Sequence, residues 1–286
     1  MSDSADGFVT GLLHPGAMGA TVGAACSGTV LWASEDRSEA TSERAAEAGL
    51  TDAGDIASMA SAADIVISVC PPHGAEALAD AVADAGFAGC YVDANAVSPA
   101  TARRIGARFS DFVDGSLIGP PAREPGTTRL YVAGDGADRV VARFEGSALE
   151  PRVLSGGGVG AASALKMAYA SWTKGTSALL VSVAALACAE GVADELSAEW
   201  ALSQSGLSQR LTYTAVAVAP KAWRWTGEMD EIADTFAAAG LPDGFHRAAS
   251  EVYQRLGVWA DARGASVQEM LDALLSSPAV TPDDGE

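Results

Sequence analysis

FVTGLLHPGAMGATVGAAC, residues 8–26, sets the reading of the whole chain. Residues 8–13 are apolar enough for a strand covered on both faces. Residues 14–19 carry Pro15, Gly16 and Gly19, and an alanine-rich helix pattern follows. Strand, glycine-bearing turn and helix in that order open a βαβ unit. Downstream the alternation repeats, with apolar strands predicted at 29–34, 63–69, 90–96, 111–119 and 128–135. Helical patterns fall between them at 38–50, 74–86 and 98–109, the last with Ser98 as N-cap and Pro99 at the first position. Near-continuous apolar strands alternating with helices of this length predict a doubly wound parallel sheet, covered on both sides.

After residue 155 the strand signals stop. A glycine run (Gly156, Gly157, Gly158, Gly160) leads into ALKMAYASWTKGTSALLVSVAALACA at 164–189, in which Lys166 and Lys174 are the only charges. At about 100° per residue, Lys166, Tyr169, Thr173 and Ser177 share one narrow face, with Lys174 at its edge. The other faces predict a helix buried nearly all round. Further helices are expected at 193–204, 207–218, 228–240, 245–257 and 267–275, before an acidic, disordered-looking tail. The fold class expected is therefore α/β: a Rossmann-like domain, 1–155, and an all-α domain, 156–286, joined by the long helix.

The chain has 286 residues, 49% of them hydrophobic and 19% charged, as expected of a soluble globular protein. Its net charge of −19, from 37 acidic and 18 basic residues, argues against partners that are nucleic acids or anionic membranes. The four cysteines show no metal-ligand spacing, so no metal site is expected, and reduced thiols fit a cytoplasmic location. No signal-peptide pattern opens the sequence, and the apolar run 177–189 is short for a membrane span.

A turn with Gly16 and Gly19 before a helix lets backbone approach a pyrophosphate, and the helix start supplies unpaired N–H groups. The fingerprint G-x-G-x-x-G is incomplete, with His14 in the place of its first glycine. At the end of the second strand, Arg37 with Ser34 and Ser38 would suit a 2′-phosphate, favouring NADP over NAD, although Glu35 and Asp36 stand beside them.

Together GAMG (16–19), SVCPP (68–72), DANAVSP (93–99), DGSLIGPP (114–121) and the glycine run before LKM (165–167) resemble the β-hydroxyacid dehydrogenases. That group includes 3-hydroxyisobutyrate and 6-phosphogluconate dehydrogenases. The resemblance runs the length of the chain, and a branch with its own helical C-terminal domain is the best match. It implies that His14, Pro15, Gly16, Ala17 and Met18, with Gly19, form the pyrophosphate loop, and that Cys70, Pro71 and Pro72 lie along the cofactor. It also puts Asn95 near the nicotinamide and makes Lys166 the catalytic lysine. Three departures accompany it. The serine and two glycines that hold a substrate carboxylate read Ile118, Gly119 and Pro120. The asparagine one turn after the lysine is replaced by Tyr169, at i+3 on the same face, and His14 replaces a glycine.

The expectation is an NADP-dependent oxidoreductase for a small hydroxy or oxo compound, with Lys166 moving the proton, Tyr169 assisting, and Asn95 positioning. The alternatives are an imine reductase and a non-catalytic nucleotide-sensing domain. His246 is a further substrate candidate, although a lone histidine is more often structural. Glu228 reads as a solvated helix-start carboxylate, and Trp172, Trp223 and Trp225 as core or interface anchors. An apolar helix with few residues to cover it predicts a homodimer.

Overall fold

The computed structural model describes residues 7–259 and 264–276. The expected tail at 277–286 lies outside them. In chain order the first part comprises β1 (Val9–Leu13), α1 (Ala17–Ala25), β2 (Thr29–Trp32), α2 (Glu39–Glu47), β3 (Thr51–Asp52), α3 (Ile56–Ala62) and β4 (Ile65–Ser68). It continues with α4 (Ala75–Asp84), β5 (Cys90–Asp93), α5 (Pro99–Gly106), β6 (Phe112–Ile118), β7 (Thr128–Ala133), α6 (Ala137–Ala142) and β8 (Leu149–Val153). The helical part holds α7 (Ala161–Ala189), α8 (Ala193–Ser203), α9 (Leu207–Tyr213), α10 (Ala222–Ala238), α11 (Gly244–Arg255) and α12 (Val267–Ser276).

One eight-stranded sheet has the order β3-β2-β1-β4-β5-β6-β7-β8. Its strands are parallel except that β7 runs antiparallel to β6. The reason is the short connection 119–127, which carries no helix and so cannot make a parallel crossover. Successive strand residues enter opposite cores. Leu12, Ile67, Val92 and Val113 pack on one face, and Leu13, Val66 and Tyr91 on the other. The expected cap of α5 is present, with the Ser98 hydroxyl accepting from the Thr101 N–H at 3.2 Å and Pro99 at the first turn. Four elements escaped the sequence reading: β3, α3, α6 and β8. β3 has two residues, while β8, LEPRV, is an edge strand whose charges and Pro151 mask a strand pattern.

The chain divides into two compact units between Met167 and Ala168. The break falls inside α7, later than the boundary at 155, because the start of that helix is fastened to β6. α7 also corrects the expectation of all-round burial. Its polar residues Lys174 and Ser177 are buried, whereas Trp172 is 70% and Leu186 62% exposed, with Tyr169 and Leu179 also open. The lack of charge reflects alanine content more than enclosure. At 29 residues and mean hydropathy 1.3, α7 is long and apolar enough to cross a membrane, yet half of its most apolar window is buried within the protein. A soluble protein's core helix meets the same criterion.

In the second unit α10 packs along α11, and the Tyr253 hydroxyl donates to the Lys174 carbonyl at 2.7 Å. Between α9 and α10 the chain makes a π-helical turn, Thr214–Val218, and a 3₁₀ turn, Ala219–Lys221.

Candidate active site

In the first unit the carboxyl ends of β1, β4, β5 and β6 share one sheet edge, where open α/β sheets bind ligands at the point of strand-order reversal. The reversal lies beside β1, which is flanked by β2 and β4. The glycine loop follows β1, Cys70-Pro71-Pro72 follows β4, Asn95 follows β5, and Ile118-Gly119-Pro120 closes β6.

The loop keeps its tight turn without the missing glycine. His14 takes a left-handed conformation, φ 61°, at a cost of about 1 kcal/mol for a residue with a Cβ. Its carbonyl accepts from the Gly16 N–H at 2.7 Å. A Cβ on Gly19 would lie 2.4 Å from that same carbonyl, so only glycine fits there. No side chain caps α1 at Gly16, which leaves its first turn to an anion. Two guanidinium groups reach the loop. Arg37 Nη1 lies 3.4 Å from His14 Nδ1, and Arg44 Nε donates to the Pro15 carbonyl at 3.5 Å. Arg44 was not singled out from sequence; a basic residue inside an exposed, charged helix gives no local sign of where it reaches. The Ser34 hydroxyl donates to the Gly54 carbonyl and the Ser38 hydroxyl bonds that of Thr41. This uncapped, doubly cationic turn suits the pyrophosphate of a dinucleotide.

Asn95 is buried, and its amide is heavily committed. Its Oδ1 accepts from the Cys70 N–H at 2.6 Å, while Nδ2 donates to Ser68 Oγ at 3.0 Å and to Asp93. It therefore ties the end of β4 to the end of β5 and fixes the start of Cys70-Pro71-Pro72. Ser68 and Asp93 complete that knot and went unremarked in the sequence. Burial pushes the Cys70 thiol up to about 12, so it stays protonated near neutral pH.

Asp114, on β6, is the residue that sets the lysine. Its buried carboxylate accepts from the N–H groups of Gly160 (2.9 Å), Ala162 (2.7 Å) and Ser163 (3.2 Å) and from the Ser163 hydroxyl (2.6 Å). The start of α7 is thus capped by a carboxylate some forty-six residues earlier in the chain. Burial pushes the Asp114 carboxyl up, against the pull of those four bonds. With the helix fastened there, half-buried Lys166 donates from Nζ to the Leu117 carbonyl at 2.8 Å, near the carboxyl end of β6. Next along the strand, Ile118 is buried, and Gly119 and Pro120 are exposed. Gly119 has φ 135°, and a Cβ there would lie 2.3 Å from the Thr127 carbonyl, so the β6–β7 turn requires this glycine.

In the second unit Tyr169 is exposed, three residues beyond the lysine on α7. His246 is 5% exposed, packed on Phe236 and Phe245, with Nδ1 lacking a hydrogen-bond partner. Burial holds its pKa below the ordinary histidine value. Glu228 is not a solvated carboxylate: it is largely buried and ion-paired with Lys174. Trp172 and Trp223 are exposed and not core residues, and half-buried Trp225 stands edge-on to Tyr253 at 5.2 Å. Among the described residues no group of three His, Cys, Asp or Glu could hold a metal.

A family model described as a domain of unknown function, DUF1932, matches residues 187–256. An uncharacterised 28.5 kDa protein from the 7S RNA 5′ region of Methanothermus fervidus is 33% identical over 165 residues. The match takes in 56% of this chain and 62% of that relative, under two thirds of its length. Among solved structures, a conserved protein of unknown function described as structurally similar to 3-hydroxyacid dehydrogenases aligns with TM-score 0.64 and 24% identity. It covers 92% of this chain and 99% of its own. The 3-hydroxyisobutyrate dehydrogenase of Mycobacterium tuberculosis, solved with L-serine, aligns with TM-score 0.66 and 18% identity over 93% and 99%. A reductive aminase from Aspergillus terreus, in complex with NADPH and ethyl levulinate, gives TM-score 0.50 and 20% identity over 93% and 98%. The expected fold is borne out: an α/β sheet region followed by helices, as in the 3-hydroxyisobutyrate dehydrogenases and related proteins.

Proposed function

We propose that this chain, which has the fold of the 3-hydroxyacid dehydrogenases, is an NADP-dependent oxidoreductase for a small hydroxy or oxo compound. The observation that carries the reading is the Lys166 ammonium, held 2.8 Å from the Leu117 carbonyl on the sheet edge that bears the glycine loop. Arg37 and Arg44 beside that loop support the phosphorylated cofactor.

The nicotinamide, when bound, supplies or accepts the hydride. The chain's own residues do the rest. The uncapped start of α1, with Arg37 and Arg44 beside its loop, would hold the phosphates. Asn95 keeps the Cys70-Pro71-Pro72 segment in register as a positioning residue. During oxidation Lys166, as the neutral amine, takes the hydroxyl proton; during reduction its ammonium returns a proton to the oxygen. The Leu117 carbonyl accepts one of the three N–H groups of the ammonium and so fixes its position. Tyr169, three residues on, is available to share the substrate oxygen. The Ile118-Gly119-Pro120 turn offers neither a serine hydroxyl nor a backbone N–H at Pro120, so a carboxylate clamp of the usual kind is not part of the reading.

A second reading, reduction of imines, draws on the reductive aminase likeness. Titrating the protein with NADPH and NADH, then assaying β-hydroxy acids, their aldehydes and cyclic imines, separates the two. Tight NADPH binding with turnover of a hydroxy compound is expected. Turnover confined to imines favours the second reading, and binding without turnover of either favours a nucleotide sensor. A cytoplasmic homodimer completes the proposal, with the exposed Leu179 and Leu186 of α7 covered by a second copy. A monomer in light scattering at micromolar concentration would count against the dimer.

A further inference from the structure

The second unit contains a cavity of about 410 Å³ that the chemistry above does not use. Its walls come from α7, α9, the π-helical turn and the start of α10. Three aromatic side chains line it (Trp172, Tyr213 and Trp225) together with two cations, Arg210 and Lys221. None of its nine lining residues is acidic, in a chain with twice as many acidic as basic residues. Glu228, three positions after Trp225, is committed to Lys174. We infer that this pocket binds a small aromatic carboxylate.

The pocket is preformed on both counts that such a ligand needs. Trp225 is braced by the Lys174 ammonium, 5.1 Å from its ring centroid, and by the edge of Tyr253. A planar ring can therefore stack without first ordering its platform. Arg210 donates to the Thr176 hydroxyl, which holds its guanidinium in place to receive a carboxylate fork. The Thr173 and Ser177 hydroxyls donate to carbonyls of α7 itself, leaving recognition of the anion to Arg210 and Lys221. Ala217 and Val218, from the π-helical turn, supply small apolar wall; such turns recur at functional sites. The volume lies in the range of small-molecule pockets and suits one ring with a short acidic arm.

Calorimetric titration of the full chain, without nucleotide, tests this with phenylacetate, benzyl alcohol and acetate as probes. Phenylacetate is expected to bind saturably, with acetate and benzyl alcohol at least about tenfold weaker, since each lacks one half of the recognition. Lys221→Met and Arg210→Met are each expected to weaken phenylacetate by about tenfold or more, the worth of a charge-assisted bond. Lys221 is exposed, so its variant decides the matter should loss of Arg210 disturb the fold. No saturable heat with phenylacetate up to about 10 mM, affinity unchanged in Lys221→Met, or equal binding of benzyl alcohol would each overturn the inference. Lys166→Ala is expected to leave this binding intact, so failure of the catalytic reading and failure of this one are separately visible.

Discussion

Two lysines stand eight residues apart on α7, and they are built into the protein in opposite ways. Lys174 is buried, its ammonium paired with Glu228 and lying over Trp225. Lys166 is half-buried, its ammonium resting on a backbone carbonyl. A carboxylate partner in a dry interior holds the lysine in one place and fixes two elements to each other. A carbonyl dipole fixes the position of an amine without cancelling its charge. The first arrangement makes an anchor between α7 and α10; the second sets Lys166 at the carboxyl end of β6, where the proposed reaction needs a proton carrier.

The sharpest test of that contrast is functional. Lys166→Ala is expected to lower turnover by roughly 10²–10⁴-fold, the usual worth of general acid–base help, with nicotinamide affinity unchanged within about threefold. Steady-state assay beside a fluorescence titration of the cofactor measures both. Turnover within a few-fold of the parent protein would remove the lysine from its role and collapse the comparison.

Next in size is the anchor. Removing one partner of a buried ion pair strands the other, so Lys174→Met or Glu228→Gln is expected to cost about 3–5 kcal/mol in urea unfolding. The double variant Lys174→Met with Glu228→Leu should recover most of that loss, because paired charges and apolar replacements are close in energy when buried. If either single variant is as stable as the parent, the pair is a surface contact and the two lysines are alike.

The fastening of α7 to β6 comes third. Asp114→Ala would leave several buried N–H groups at the helix start unpartnered, an expected loss of about 2–3 kcal/mol. Because Lys166 depends on that fastening, turnover should fall together with stability, while the Lys174–Glu228 pair is unaffected. Calorimetric unfolding and activity measured on the same preparation show whether the two losses travel together.

The sequence made some of this legible and hid the rest for identifiable reasons. β1, β4, β5 and β6 were readable because strands buried on both faces are apolar throughout, and the Ser98-Pro99 cap because its signals are local. β8 was hidden because an edge strand tolerates charges and proline. The partnership of Glu228 with Lys174 spans fifty-four residues and has no local mark at either end. Asp114 could be quoted within a motif, yet its partners at 160–163 became visible only when β6 was set beside the glycine run. α7 misled in another way: a helix without charge reads as buried, but Trp172 and Leu186 are open in the single chain. In the candidate site the loop, Asn95 and Lys166 were legible from local sequence. The reach of Arg44 and the inward commitment of the Asn95 amide were not.

The smallest effect concerns the residue that departs most plainly from the glycine fingerprint. His14 sits at φ 61°, so His14→Gly relieves about 1 kcal/mol of backbone strain. The same change adds freedom to the unfolded chain, worth about 0.5–1 kcal/mol in the opposite direction. The two nearly cancel, and stability is expected to stay within about 0.5 kcal/mol of the parent. Whatever the histidine contributes must then lie in its ring, 3.4 Å from Arg37. If that contact steadies the guanidinium for a 2′-phosphate, His14→Gly should weaken NADPH by a few-fold and leave NADH unchanged. Equal loss for both cofactors would instead assign His14 to the shape of the pyrophosphate turn, and Arg37 would lose its claim to cofactor choice.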